Sequence, residues 1–564
     1  MPTLNWIGKD KVISHHQDVP YRVLEHKYGF TAENGEQNQP TESGNKIIHG
    51  DNLEALKSLL PEYEGKVKCI YIDPPYNTGN ESWVYNDNVN HPKIKKWLGE
   101  VVGKDGDDLT RHDKWLCMMY PRLKLLQKLL SNDGVIFISI GEDEISNLKT
   151  LCDEIFGGLN KCGIVSRVMK SGGNKGNYFS PNIDYVLAYA RNKNMISDFK
   201  AELDEKLVKK LYNQVETEGE RKGENYRAFG LYQSTLDPLR GCVNQRYYIE
   251  CPDGSFVIPS GNIFPKEIAD GASIPPETKN DKVWRWTAER YLKEKEEGNI
   301  VFKKTKNEVL VDSNGKPAKW NIYTKIWLKK RQEEGQTPTN LISEYENRHG
   351  SKELLKLGIK FDFAKPSKLV EYLINIAIKD KEAIILDSFA GSGTTGNAVL
   401  NLNQKDKGNR KFILIEMEEY ANTITAERVK RASKGYGKGD KKIDGTGGDF
   451  DFYELGLPLF DNNQNLNEQV GINKIREYIW FSETRTPFIE PKDSDYFLGK
   501  KEDSVYYFIY EKDQLTTLDF DALQLIKTKG EQYVIYADNC LLPKEFMAKN
   551  NIIFKKIPRD ITRF

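Results

Sequence analysis

Short apolar, β-branched runs alternate along much of the chain with longer segments whose apolar positions return at helical spacing. "KIIHG" (46–50) reads as a strand, "NLEALKSLL" as the helix after it, and "KVKCIYI" as a second strand that ends at Asp73. An Asn-, Asp- and Gly-rich gap follows from Thr78 to about Asp108. Then come a helix, "HDKWLCMMYPRLKLLQKLL" (112–130), a strand, "GVIFISI" (134–140), a helix, "DEISNLKTLCDEIF", and a strand, "DYVLAYA" (184–190). This βαβ rhythm predicts a largely parallel sheet with helices on both faces.

From 196 to 345 the rhythm breaks. Hairpin signals stand at Asp253-Gly254 and Asn314-Gly315, where two-residue loops favour positive φ. Basic and aromatic residues interleave there, which predicts a separate mixed domain. The alternation returns at 367–433 with "SKLVEYLINIAI", "AIILD", a glycine turn, "GNAVLNLN", "KFILIE" and "EYANTITAERVKRA". The Gly- and Lys-rich "SKGYGKGDKKIDGTGGD" (433–449) reads as loop or linker. The expected organisation is an arm at 1–44, a sheet domain in two halves at 45–195 and 346–433, an insertion at 196–345, a linker at 434–464 and a small α/β domain at 465–564.

Charge narrows the picture little. Lys+Arg and Asp+Glu both number 83 in 564 residues, and a basic groove on an acidic body also sums to zero. Seven cysteines without a CxxC pair read as reduced thiols in an intracellular protein rather than disulfides or metal ligands. With no apolar signal core and no apolar run of membrane-spanning length, a soluble cytoplasmic protein is expected. There is no G-x-x-x-x-G-K-[ST] and therefore no P-loop motor.

Two stretches carry chemistry. "ILDSFAGSGTTGN" (385–397) sets Gly391, Gly393 and Gly396 between a strand and a helix, with Glu416 at the end of the next strand. Glycines let a ligand approach the backbone, a helix N-terminus offers amides to an anion, and the acid suits ribose hydroxyls. A tight turn and an NAD site in an oxidoreductase are the alternatives. The other stretch is "DPPY", Asp73-Pro74-Pro75-Tyr76. A carboxylate and a proline carbonyl are both acceptors, so Asp73 and Pro74 form a fork for one NH₂ group while Tyr76 offers a flat face. An exocyclic amino group on a planar ring belongs to adenine or cytosine.

At this point the sequence resembles the amino-specific DNA methyltransferases that use S-adenosylmethionine. Asp at the head of "DPPY" points within that resemblance to adenine N6. The order of "DPPY" at 73 before "FAGSGTT" at 389 is that of the circularly permuted β group. "IIHGDNLEALKSL", "DPPYNTGNESWVYND", "FDFAKPSKLVEYLI" and "REYIWFSETRTPF" further resemble the Mod subunits of Type III restriction–modification systems. The resemblance implies a Rossmann-like α/β fold with a permuted, mixed seven-stranded sheet, an inserted α+β target-recognition domain and a small C-terminal α/β domain. It implies Asp73, Pro74, Pro75 and Tyr76 as catalytic, and a cofactor site of Asp51, Lys365, Pro366, Asp387, Phe389, Ala390, Gly391, Gly393, Thr394 and Glu416. DNA reading falls to the insertion, with Arg227, Arg240, Arg246, Arg285, Lys325, Lys329, Lys330 and Arg331 as candidates. It implies double-stranded DNA as substrate, a homodimer, a separate Res-like helicase–nuclease partner, and a cytoplasmic, nucleoid-associated protein without a metal. A non-catalytic DNA-specificity module is the alternative from another class.

Overall fold

The computed structural model describes residues 3–78, 111–172, 178–203, 205–305, 309–437, 442–461, 463–492 and 496–559. Beyond Thr78, the polar gap expected up to Asp108 lies outside the described residues. The chain divides into two compact units, Met1–Phe199 with Thr339–Phe564, and Lys200–Pro338.

The first unit is built on one large sheet. In chain order its strands are β1 (Arg22–Thr31), β2 (Gly35–Gln37), β3 (Lys46–His49), β4 (Val67–Ile72), β5 (Leu130–Ile140), β6 (Lys161–Val168), β7 (Ile183–Ala190), β8 (Leu341–Ile342), β9 (Ile384–Asp387), β10 (Lys411–Glu416) and β11 (Phe450–Pro458). They lie in the order β8-β6-β7-β5-β4-β9-β10-β3-β11-β1-β2. The run from β5 to β11 is parallel, and β7 enters antiparallel between β5 and β6. Strands covered on both faces need apolar residues at every position. Accordingly Phe412, Ile413, Leu414 and Ile415 of β10 and Cys69, Ile70 and Ile72 of β4 are fully buried.

The covering helices that matter for the site are α1 (Asn52–Tyr63), α2 (Arg111–Leu129), α3 (Asn347–Leu357), α4 (Ser367–Ala377), α5 (Thr394–Asp406) and α6 (Glu427–Lys434). β9 comes from the far half of the chain yet pairs with β4, Ile385 opposite Cys69 and Leu386 opposite Ile70. The permuted chain order therefore yields one continuous Rossmann-like sheet.

The sheet has more strands than the seven expected. Seven of them, β6-β7-β5-β4-β9-β10-β3, form the expected array, and the sheet continues beyond it on both edges. The stretch 434–464, read as linker, supplies β11, and the arm at 1–44 supplies β1 and β2. Pairing β1 with β11 stacks Tyr28 on Phe452 and Phe30 on Phe450, with ring centroids 5.1 and 5.2 Å apart. That aromatic burial holds a strand next to the glycine-rich loop. Residues at the C-terminal end form a four-stranded sheet from Phe497–Lys501, Ser504–Phe508, Gln532–Ala537 and Ile552–Lys556, alongside the helix Ile472–Thr484.

The second unit, Lys200–Pro338, has its own core of Leu231, Tyr247, Ile249, Val257, Trp284 and Tyr291. Its four-stranded sheet runs Ile300–Lys304, Trp320–Trp327, Asn225–Gly230 and Gln214–Val215. The Asp253-Gly254 signal falls in the turn between Ile249–Glu250 and Phe256–Pro259, which pair antiparallel.

Candidate active site

β4 ends at Ile72 and delivers Asp73 into a cleft at the carboxyl edge of the sheet, where ligands bind in open α/β folds. Both Asp73 oxygens are taken by Lys365 Nζ, at 2.7 and 2.6 Å, and the side chains are only 10% and 4% exposed. The same ammonium lies 4.9 Å from the centroid of the Tyr76 ring. Trp115 of α2, fully buried, donates its indole N–H to the Pro75 carbonyl at 2.7 Å. Its ring is core and its nitrogen fixes the turn. Asn77 then adopts φ 56°, a left-handed conformation that Asn tolerates better than most residues. Its amide donates to buried Glu144 at 2.5 Å, and His112 meets the same carboxylate oxygen at 2.6 Å. Burial pushes the Glu144 carboxyl above its usual range, against the hydrogen bonds from Asn147, Asn77 and His112.

Tyr76 is held from two sides. A Cβ at Gly141 would come within 2.8 Å of its ring, so glycine is required for the ring to lie flat there. Its hydroxyl donates to Asp184 Oδ2 at 3.2 Å. Asp184 stands opposite Arg167 in the β6–β7 register and accepts two guanidinium bonds from it, the Nε one at 2.7 Å. Arg167 also donates to the Tyr345 carbonyl and to Asn347 Oδ1 at 2.8 and 2.9 Å. Burial and the Asp184 and Asp73 charges push the Tyr76 phenol far above its usual range, so it stays neutral.

On the neighbouring strand, β9 ends at Asp387. Its carboxyl accepts from the Phe389 amide at 3.0 Å and from Thr395 Oγ1 at 2.5 Å. The turn that follows has φ 52° at Gly391 and 80° at Gly393, where a Cβ would lie 2.7 Å from the Thr425 carbonyl. Glu416 at the end of β10 accepts from the Gly391 amide at 2.7 Å and the Glu418 amide at 3.0 Å. Arg428 of α6, fully buried, donates to Ser392 Oγ and Thr394 Oγ1 at 2.9 and 2.8 Å and so ties the turn down from behind. Burial lowers its pKa to about 10, which leaves it charged at neutral pH.

Asp51 caps α1, accepting from the Leu53 and Glu54 amides at 2.9 and 3.2 Å through Oδ1. Capping uses Oδ1 alone, while Oδ2 faces Arg122 at 3.8 Å. One cleft is lined by Asp73, Lys365, Asp387, Phe389, Ala390, Gly391 and Thr394, with Tyr71, Phe361, Phe363, Ala364 and Ser392 completing it. Asp51, Pro366, Gly393 and Glu416 are not among the lining residues. Glu416 reaches the cleft through the Gly391 amide, and Pro366 precedes the first turn of α4.

Burial makes two of these acids sensitive to pH. It raises Glu416 from an ordinary 4.5 to about 8 and Asp387 from 3.8 to about 7. A carboxyl whose pKa is higher folded than unfolded contributes stability that is complete below the unfolded value and is lost as pH rises through the folded one. The contribution of these two acids to the thermal midpoint should therefore fall as pH rises from about 4 to about 8. Glu416→Gln, which cannot ionise, should flatten that slope when melts are recorded across the same window.

The eight basic candidates of the second unit differ in circumstance. Arg246 is 0% exposed and donates to the carbonyls of Ile263, Pro259 and Lys282 at 2.9, 2.7 and 2.7 Å. Its guanidinium is thus a structural clasp with nothing to present to DNA, a correction to the sequence reading. Arg246→Ala should cost on the order of 2–4 kcal/mol, because buried carbonyls lose their donors; chemical denaturation measures it. Lys325 is paired with Glu216, and Arg285 bonds Thr324 Oγ1 at 2.9 Å while lying 4.4 Å from the Phe229 ring centroid. Arg227 is half-buried beside Phe229. Arg240, Lys329, Lys330 and Arg331 are exposed, the last three on the short helix Leu328–Glu334.

Sequence reasoning missed Arg167, Asp184, Glu144 and Arg428. A signal existed for the first two, as opposite charges inside two otherwise apolar strands. Their partnership depends on a register that sequence does not give. Among the described residues no His, Cys, Asp and Glu group could hold a metal ion, and no helix is long and apolar enough to cross a membrane.

Comparison with known proteins identifies a family. The sequence model of a family described as DNA methylase covers residues 67–427, spanning both half-sites and the insertion. The Type III restriction–modification enzyme EcoPI Mod subunit of Escherichia phage P1 is 33% identical over 442 residues, 74% of this chain and 64% of that one. The EcoP15I Mod subunit of Escherichia coli is 33% identical over 481 residues, 77% of this chain and 69% of that one. Type II methyltransferase M.KpnI of Klebsiella pneumoniae is 30% identical over 400 residues, 69% of this chain and 84% of that one. The chain thus spans about two thirds of the length of these two Mod relatives.

Proposed function

Because the chain belongs to the DNA methylase family, we propose that it transfers a methyl group from S-adenosylmethionine to N6 of an adenine flipped out of a short duplex recognition sequence. One observation carries this reading. β4 and β9 end side by side, so Asp73 and the turn residues Gly391 and Ser392 share a single cleft. Asp at position 73 supports adenine over cytosine, as it does in the resemblance to amino-specific enzymes.

The residues present fit the cofactor. Gly391 leaves bare backbone in the cleft beside Phe389 and Ala390, and each Glu416 oxygen keeps a lone pair beyond its backbone bond for a ribose hydroxyl. When bound, the cofactor supplies an electrophilic methyl group. The chain does the rest. Flipping the base costs a few kcal/mol, and stacking on Tyr76 returns about 1–3 kcal/mol. Asp73 and the Pro74 carbonyl accept the two amino protons, which frees the nitrogen lone pair from the ring. The displaced proton leaves to solvent or to Asp73 after attack. Alignment of the two reactants contributes several kcal/mol.

Unit Lys200–Pro338 reads the recognition sequence in this proposal. The protein acts as a homodimeric modification subunit in the cytoplasm, close to the nucleoid. A Res-like helicase–nuclease is its partner on another chain, with residues 465–564 part of that contact surface. The test is to express the chain alone in a methylation-deficient bacterium and read its genome with modification-sensitive long reads, beside Asp73→Asn. N6-methyladenine at one short motif, absent with the variant, is the expected result. No modified base, from a chain that binds S-adenosylmethionine, would make it a specificity module that needs a partner to act.

A further inference from the structure

Lys365 fills both places that the proposed chemistry reserves for the target base. Its ammonium donates to the two oxygens of Asp73 at 2.7 and 2.6 Å, as the amino group of adenine would. It also lies 4.9 Å from the Tyr76 ring centroid, where a stacked ring would go. Charge-assisted bonds are roughly twice as strong as neutral ones, so a neutral amino group does not displace this cation unaided. The backbone of Lys365 is anchored, since its carbonyl accepts from Thr394 Oγ1 at 3.3 Å and the residue precedes α4 by two positions. The side chain is the part free to change partners. The cleft holding it continues onto Phe389, Ala390 and Gly391, residues that the resemblance to the methyltransferases sets at the methionine end of the cofactor. A carboxylate arriving there is the counter-charge that can draw the ammonium off Asp73.

We propose that Lys365 stands in for the target amino group before cofactor binds and moves to the carboxylate of the cofactor, so that the site admits a base only after cofactor has bound. This rests on the methyltransferase reading. It assigns Lys365 two positions, and it predicts an ordered reaction with cofactor first.

Two ligands that share a thioether-bearing adenosine separate the steps. S-adenosylhomocysteine carries the amino-acid carboxylate, and 5′-methylthioadenosine lacks it. By calorimetry on the full chain, Lys365→Met should weaken the first by about 10–100-fold, the range for a hydrogen bond to a charged group. It should leave the second unchanged. Base flipping is read on a duplex bearing the mapped motif, through permanganate reactivity of the thymine opposite the target adenine. In the wild type, reactivity should rise with S-adenosylhomocysteine and stay low with 5′-methylthioadenosine or with no ligand. In Lys365→Met it should rise without any ligand. Lys365→Gln, which keeps a polar group beside Asp73, should behave the same way if the methionine variant does not fold. Flipping by the ligand-free wild type, or equal losses for both nucleosides, overturns the proposal and leaves the methyltransferase reading standing. Failure of both nucleosides to bind the wild type overturns both readings.

Discussion

Asp73→Asn is expected to slow methyl transfer by about 10²–10³-fold or more, the usual cost of removing one preorganised electrostatic partner from a reacting centre. The amide keeps one carbonyl acceptor and turns an NH₂ donor toward the substrate's own NH₂, so half of the acceptor fork becomes repulsive. Single-turnover methylation of the mapped motif measures the loss, and affinity for DNA should stay near the wild-type value. Asn serves better here than Ala. Both replacements take the counter-charge from the Lys365 ammonium, 4% exposed, but Asn keeps a carbonyl oxygen to accept from it whereas Ala keeps no acceptor, so Ala strands the buried cation at the greater cost. A variant that kept more than about a tenth of the rate would remove Asp73 from the role given to it here.

The largest effect on stability is expected from Asp184→Ala. It strands Arg167, a guanidinium with 0% exposure, and it leaves the Tyr76 hydroxyl without its acceptor. Burial alone would favour loss of the Arg167 proton, but the Asp184 charge outweighs it and holds the group cationic. Without Asp184 the desolvation cost remains and the compensation does not, so unfolding in denaturant should show a loss of about 3–5 kcal/mol. A paired replacement, Arg167→Met with Asp184→Leu, removes both charges and should recover most of that stability, because apolar substitutes for a buried ion pair are often neutral. It should not recover Tyr76 positioning. The double variant is therefore expected to be stable and still slow in turnover, and recovery of both properties together would show that the ion pair does no more than hold the fold.

The outline of this molecule was legible because its parallel strands advertise themselves. The centres of "KVKCIYI" and "KFILIE", residues 69–72 and 412–415, are buried on both faces, so each carries four consecutive residues without a charge. "DPPY" and "FAGSGTT" were legible for a different reason: their chemistry is local, held in consecutive residues after a strand. What escaped is non-local. Arg167 and Asp184 meet only through the β6–β7 register, and Arg428 reaches back from α6 to hydroxyls of the glycine turn. The contact of Lys365 with Asp73 joins residues 292 positions apart. Arg246 was misread because an arginine among aromatics looks the same in sequence whether it faces solvent or a ring of carbonyls. The strand β11 was hidden by the composition of its neighbour, since the glycine-rich approach suggested a linker that ran on through residue 464.

The second unit closes on itself at its neck. Ala201 and Gln336 exchange backbone hydrogen bonds of 2.8 and 3.0 Å, so the insertion begins and ends as a paired bridge. Segments whose two ends lie together can be excised or replaced with little cost to the chain that hosts them. Such an architecture lends itself to inheritance by cassette. On the proposed function, recombination at two points flanking codons 200 and 338 would hand the sheet a new reader in one event, complete with its own core, and leave untouched every residue that lines the cleft. Specificity could then diversify far faster than chemistry, and a family of such genes would differ most in the middle of its sequences.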